Sequence, residues 1–233
     1  MMYAPSMSPA PNRKETLWGL VLMGFTLFVA PSLLYILNDH LTQPLSVGML
    51  NVVFYCFNFI ASIVVFRKFL AQSFKTAFQR LFPVIWYAIL GYCGYQVLSR
   101  FLSAAILYID PSFTNVNDDT IFELLDQDLI PLAMSTIFLV PLAEEVIYRG
   151  LIFRKLFDRN PIAAYLVSMA AFAAIHVMGY IGSYSPLVLF LCFLQYLPAG
   201  YCLCWCYRQT GTIICPILMH MVVNGISIFY FLR

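Results

Sequence analysis

The chain has 233 residues, 62% of them hydrophobic and 10% charged, with a net charge of +2. Soluble domains average about half apolar and about a quarter charged, and a water-soluble chain of this size would have no way to hide so much apolar surface. Nucleic-acid binding is excluded by the lack of a basic footprint, and composition excludes disulfide frameworks, collagen-like repeats and disordered regulators.

In chain order, residues 1–16 read as a flexible polar N-terminal segment ending near Arg13 and Lys14. The apolar run 17–37 is too long for a signal-peptide core and has no clear small-residue cleavage site, so it reads as an uncleaved first helix. Further apolar runs follow at 47–66, 82–108, 129–153, 161–179, 186–207 and 212–232. At roughly 20 apolar residues per crossing, seven spans use about 140 residues. Seven is the preferred count. Six or eight also fit, because the run at 82–108 is long and carries Gly91, Gly94 and Arg100. No internal repeat is visible, and no run alternates as barrel strands do. The expectation is therefore an all-α, polytopic transmembrane helix bundle, with 17–233 a single membrane domain.

Charge sets the expected orientation. Arg13 and Lys14 precede the first span; Arg67, Lys68, Lys75 and Arg80 follow the second; Arg154, Lys155 and Arg159 follow the fourth; Arg208 follows the sixth. The intervening connections hold no Lys or Arg, which predicts a cytoplasmic N-terminus. The 109–128 connection carries Asp110, Asp118, Asp119, Glu123, Asp126 and Asp128, and reads as a solvated exterior loop. Between Arg67 and Arg80, apolar residues among basic ones suit either a short amphipathic helix on the membrane surface or a plain loop. The seven cysteines lie in or beside apolar runs without a CxxC pair and read as small buried hydrophobes.

Ionisable residues within membrane spans are costly, and each is a functional hypothesis. The fourth span carries Glu144, Glu145 and Arg149, the fifth ends near Phe172 and His176, and the seventh holds His220 and Asn224. Glu145 and Arg149 lie one helical turn apart and can neutralise each other. Glu144 is rotated by about 100° from Glu145 and is the freer carboxylate. At about 1.5 Å per residue from the cytoplasmic ends, Glu144 lies about 15 Å deep, His176 about 22 Å, His220 about 12 Å and Asn224 about 18 Å. Four such residues at compatible depths can build one buried polar cavity, which water is expected to reach through a cytoplasmic opening. Arg100, Gln195 and Tyr196 have bland readings as packing or cavity-lining residues.

The motifs Glu144-Glu145-x-x-x-Arg149, Phe172-x-x-x-His176 and His220-x-x-x-Asn224, together with Pro141 and Gly150, resemble the CPBP family of intramembrane proteases, also called the Abi or CAAX protease-like family. That family takes in type II CAAX prenyl endopeptidases and bacterial proteins linked to bacteriocin processing and self-immunity. The similarity covers 129–224, the expected catalytic core. It implies that Glu144 and His176 activate a water, that His220 and Asn224 bind the oxyanion, and that Glu145, Arg149 and Phe172 support the site. The donor types of Glu144, His176 and His220 are a His₂Glu set of the kind that binds zinc. The HExxH helix is absent, and the resemblance also implies a glutamate-activated water without metal, so the preferred reading needs no cofactor, with zinc left open.

The expected function is an intramembrane endopeptidase acting on a membrane-associated peptide or protein, probed best at Glu144. The competing class is a non-enzymatic membrane protein, such as a bacteriocin immunity factor or transporter component, that uses the same polar cluster to bind a partner. The absence of symmetric halves counts against a transporter. Partners are then the substrate and the lipid bilayer, with no nucleic acid. Compact length tilts the expected location toward a bacterial plasma membrane.

Overall fold

The computed structural model describes residues 7–233, so the first part of the expected flexible segment lies outside the described residues. From residue 7 onward the chain is already engaged where the sequence suggests a loose tail. Ser8 is buried, its N–H donates to Gly211 O at 2.7 Å, and its carbonyl accepts from Arg154 Nε at 2.9 Å.

The fold is all-helical. In chain order the helices are α1 (Arg13–Phe28), α2 (Ala30–Asp39), α3 (Val47–Val65), α4 (Arg67–Gln79), α5 (Leu81–Ile109) and α6 (Val116–Met134). A π-helical turn (Ser135–Leu139) leads into α7 (Val140–Glu145), a second π-helical segment (Val146–Phe153) and α8 (Arg154–Phe157). The chain closes with α9 (Pro161–Met178), α10 (Pro186–Thr210) and α11 (Ile214–Phe231). Among the described residues, six helical segments are long and apolar enough to cross a membrane, and the pair α1–α2, bent by 51°, makes a seventh when counted as one span. The protein is an integral multi-pass membrane protein. The bend has a local cause: Pro31 has no N–H to give back to the preceding turn, and its ring disfavours the α conformation for the residue before it.

One expected loop is largely helix. Only 110–115 is non-helical, and the acidic stretch from Val116 onward belongs to α6, continuous with the fourth span over Val116–Phe157. Asn115 caps it, its side chain accepting from the N–H groups of Asn117 and Asp118. Asp118 and Asp119 in the first turn face the positive end of the helix dipole. Charge density pointed to a loop, whereas the cap and the dipole make the same acids good helix starters. The long segment then kinks at Asp128 (φ −133°, ψ 51°), whose carboxylate takes the Ser46 hydroxyl.

α4 is amphipathic, burying Phe69, Leu70, Ser73 and Ala77. It follows α3 too closely to carry its own capping side chain. Glu15 of α1 caps it instead, accepting from Lys68 N at 3.0 Å and Phe69 N at 2.9 Å while its other oxygen accepts from Asn12 N. Two glycines set the tightest contacts around the functional region. A Cβ on Gly150 would lie 2.8 Å from the Phe69 ring, and one on Gly200 would lie 3.1 Å from Met169 Cα. α4 thus seats against the second π segment, and α9 and α10 approach backbone to backbone.

The asymmetry of Lys and Arg predicts which face is which. Ser112→Cys, in the exposed connection before α6, is expected to react with a membrane-impermeant maleimide in intact cells, and Lys75→Cys on α4 only after the inner face is opened. The opposite pattern would invert the bundle.

Candidate active site

Arg149 and Glu145 are fully buried, with Arg149 Nη1 3.1 Å from Glu145 Oε1. The guanidinium also donates to Gly200 O at 3.3 Å and lies 4.4 Å from the centre of the Phe172 ring. Glu145 Oε1 meets His220 Nδ1 at 3.0 Å. A carboxylate oxygen can only accept, so Nδ1 carries the proton and His220 Nε2 is left facing Glu144, 4.0 Å from its Oε2. That Glu144 oxygen is buried and makes no hydrogen bond to the protein among the described residues.

His176, in the last turn of α9, is fixed similarly. Its Nδ1 is 2.7 Å from Phe172 O. A carbonyl only accepts, so Nδ1 is the protonated nitrogen and Nε2 is the one available to a substrate or a water. The imidazole stacks on Tyr196 at 4.0 Å and 22°, with Phe172 tilted beside it at 4.7 Å. Phe172 also meets His220 edge-on at 5.7 Å, so one aromatic ring touches the arginine and both histidines.

Asn224 is held by an unusual piece of backbone. Its Nδ2 donates to Thr136 O at 2.9 Å. Thr136 lies in the first π-helical turn, where Val140 N–H reaches back five residues to Ser135 O. In that register the donor for Thr136 O would be the N–H of residue 141, which is a proline and has none. The carbonyl is therefore left for the Asn224 side chain, and the second Nδ2 hydrogen of Asn224 stays available.

Glu144, His176, His220 and Asn224 all line one cavity of about 160 Å³, with Tyr55, Asn117, Asp118, Thr136 and Tyr196 among its other walls. A larger polar cleft of about 600 Å³ reaches His176, His220 and Asn224 along Gln96, Ser99, Ser103 and Gln195. A mainly apolar groove of about 110 Å³ reaches Glu144 from the opposite flank, between Leu22, Phe54 and Ile175. The polar cleft runs toward the 109–128 connection, with the C-terminal halves of α5 and α11 as its walls. Sequence reasoning expected the opening on the basic face. It lies away from it because the buried polar residues of α5, α6 and α10 cluster toward the acidic connection, while the basic connections lie at the other helix ends. Two cavity residues had only bland readings from sequence: Tyr196, and Asp118, whose place in the first turn of a capped helix was the available clue. Arg100 is exposed on α5 and does not line this cavity.

The donor types of Glu144, His176 and His220 suit zinc, and imidazoles with Nδ1 tied to a carboxylate or carbonyl are oriented as metal ligands often are. Their spacing does not suit it: among the described residues no three His, Cys, Asp or Glu side chains converge to metal-holding distance.

A family model described as Type II CAAX prenyl endopeptidase Rce1-like matches residues 126–226. This supports a CPBP family protein. The CPBP match contains Glu144, Glu145, Arg149, Phe172, His176, His220 and Asn224, and begins within α6. No curated protein and no solved structure matched the chain.

Removing one partner of a buried ion pair leaves an uncompensated charge and costs about 3–5 kcal/mol. Arg149→Ala is expected to lower both folded yield and melting temperature in detergent. Unchanged yield and melting temperature would show that the pair does not hold the bundle together.

Proposed function

We propose that the protein is an intramembrane endopeptidase that hydrolyses a peptide bond of a membrane-associated substrate, with Glu144 as general base. The observation that carries this reading is the shared cavity: a buried Glu144 oxygen without a protein donor faces His176, His220 and Asn224 across it. The similarity to CAAX prenyl endopeptidases supports protease activity at the family level.

The proposed steps follow from the donors available. A water between Glu144 and His176 Nε2 gives its proton to Glu144 as its oxygen attacks the carbonyl carbon. The resulting oxyanion accepts from the Asn224 Nδ2 hydrogen that Thr136 O does not use. His220 assists from Nε2. To donate there it must be protonated on both nitrogens, and Glu145 on Nδ1 and Glu144 near Nε2 are the matching counter-charges. The C–N bond then breaks as Glu144 returns its proton to the leaving amine. No covalent intermediate is required. Glu145, Arg149 and Phe172 hold these groups without touching the substrate. The apolar groove reaches Glu144 and the polar cleft reaches His220, and the smaller cavity that both residues line lies against each, which suits a substrate with an apolar part and a peptide part.

Glu144→Gln keeps size and hydrogen bonding but removes the base, and activity is expected to fall by at least ~10²-fold. Folding should survive, since a neutral amide is easier to bury than a carboxylate. The test is purified, monodisperse Glu144→Gln protein with a near-native melting temperature, assayed on a cleavable membrane peptide. Near-native cleavage would overturn the enzymatic reading and favour a protein that only binds a partner through this cluster.

Pro141→Ala supplies a backbone N–H that competes with Asn224 for Thr136 O. Cleavage is expected to fall by about 10–100-fold, the scale of losing an oriented oxyanion donor in part, with melting temperature unchanged or higher. Full activity would show that Asn224 does not depend on the proline.

A further inference from the structure

Three side-chain hydrogen bonds and one longer polar contact join the start of α6 to the middle of α10, close to His176. Asn115 Nδ2 donates to Gln195 Oε1 at 2.7 Å, and Asn117 Nδ2 donates to Tyr196 OH at 3.0 Å. Tyr196 OH is 2.8 Å from Asp118 Oδ1 and 3.4 Å from Asn115 Oδ1. A phenol has one proton, and the shorter contact to the charged acceptor takes it. The hydroxyl therefore has both a donor and an acceptor partner, and the ring is held in plane against His176.

That arrangement needs explaining. Asp119, Glu123 and Asp126 on the same helix are exposed, as acidic residues beside a membrane normally are. Asp118 alone among these four is turned into the cavity, half-buried, and its partner is a tyrosine on another helix. Burying a carboxylate is unfavourable unless it does something for the fold or the site. Here it fixes a ring that packs flat on an imidazole.

We propose that Tyr196 and Asp118 are positioning residues for His176, and that the first turn of α6 is thereby part of the functional site. This rests on the reading of His176 as the residue that holds the attacking water. The Phe172 carbonyl fixes which nitrogen of His176 carries the proton, but a single hydrogen bond from the final turn of a helix leaves the ring free to swing about it. The Tyr196 ring at 4.0 Å removes that freedom on the face it covers, and Phe172, tilted at 57° and 4.7 Å away, bounds the imidazole from an adjacent direction. Among the described residues Asp118 makes no hydrogen bond to the imidazole; it acts through the tyrosine hydroxyl. Asn115 completes the device by capping α6, which keeps the Asp118 backbone where its carboxylate meets Tyr196.

The chain's three histidines make this testable by a readout other than rate. In full-length protein with ¹⁵N-labelled histidine rings in detergent micelles, the His176 signals are assigned by their loss in His176→Ala. In the unaltered protein they are expected to show a single fixed tautomer with the proton on Nδ1. Tyr196→Phe and Asp118→Asn should each move those signals toward a tautomer average and leave the His220 signals in place. On the cleavable membrane peptide, each variant should lower kcat about 10-fold with little change in KM, within the loss that ~1 Å of misplacement brings. The double variant should be no slower than the worse single one, because both changes break one link. If Asp118→Asn does not fold, Tyr196→Phe alone carries the test, since it keeps the ring. His176 signals that stay unchanged in a folded variant, or single-variant losses that multiply in the double variant, would overturn the proposal. Near-native cleavage by His176→Ala would instead overturn the catalytic reading of His176, and the ring signals would still decide whether Tyr196 and Asp118 hold it.

Discussion

A guanidinium with no exposed surface among apolar helices needs its partners in the protein, and the candidate site is organised around supplying them to all but its Nε, which has no hydrogen bond among the described residues. Arg149 finds a carboxylate on its own helix, a backbone carbonyl on α10 and an aromatic face on α9. Each of these partners then reaches a further site residue. Glu145 holds Nδ1 of His220, and Phe172 contributes both its ring and its carbonyl to the placing of His176. The ion pair adds little stability compared with well-packed apolar side chains of the same volume, because both charges are desolvated. Its consequence is geometric: three helices are tied to one group.

The fourth helix, α11, which Glu145 already reaches through His220, is tied a second time by a different device. Asn224 on α11 is anchored to a carbonyl that an ordinary α-helix would have used internally. The π-helical register and Pro141 together leave Thr136 O without its helical donor, and the side chain of Asn224 takes it. π-helical turns and prolines are costly within a span unless a neighbouring helix satisfies the freed group. The defect in one helix and the polar side chain on the other therefore stabilise each other, and the result places an amide beside the cavity that Glu144 faces.

Much of this was legible in the sequence, for identifiable reasons. Apolar runs longer than a bilayer crossing gave the spans, and helical periodicity put Glu145 with Arg149 on one face. What periodicity does not contain is the bend between α1 and α2, the two π-helical segments and the inward turn of Asp118. The proline positions were visible, but whether a proline breaks, bends or re-registers a helix depends on which neighbour takes up the freed carbonyl. The acidic stretch misled because charge count and helix-capping chemistry point in opposite directions there, and only Asn115 favoured the helix. The side on which the cavity opens was likewise set by tertiary packing, since Ser99 and Ser103, Asp118 and Gln195 come from three separate helices and carry no shared motif.

A common rule underlies how these side chains are oriented. Away from bulk water, a polar group must find its partner in the protein, and the most abundant acceptors available are helix carbonyls, each with a second lone pair. Arg149 uses Gly200 O, His176 uses Phe172 O and Asn224 uses Thr136 O. These acceptors are part of the backbone and cannot rotate away as a side chain can, so the groups bound to them inherit the rigidity of the helices. Glycine at 200 serves the same end, since a side chain there would push α9 off the carbonyl that Arg149 needs. Among the described residues Glu144 Oε2 has no such anchor, and a base that must take up and return a proton is better placed without a fixed donor. Glu145 Oε2 is likewise without a hydrogen bond, but Glu145 Oε1 is held by both Arg149 and His220, and that double hold is what favours Glu144 over Glu145 as the residue that changes its protonation.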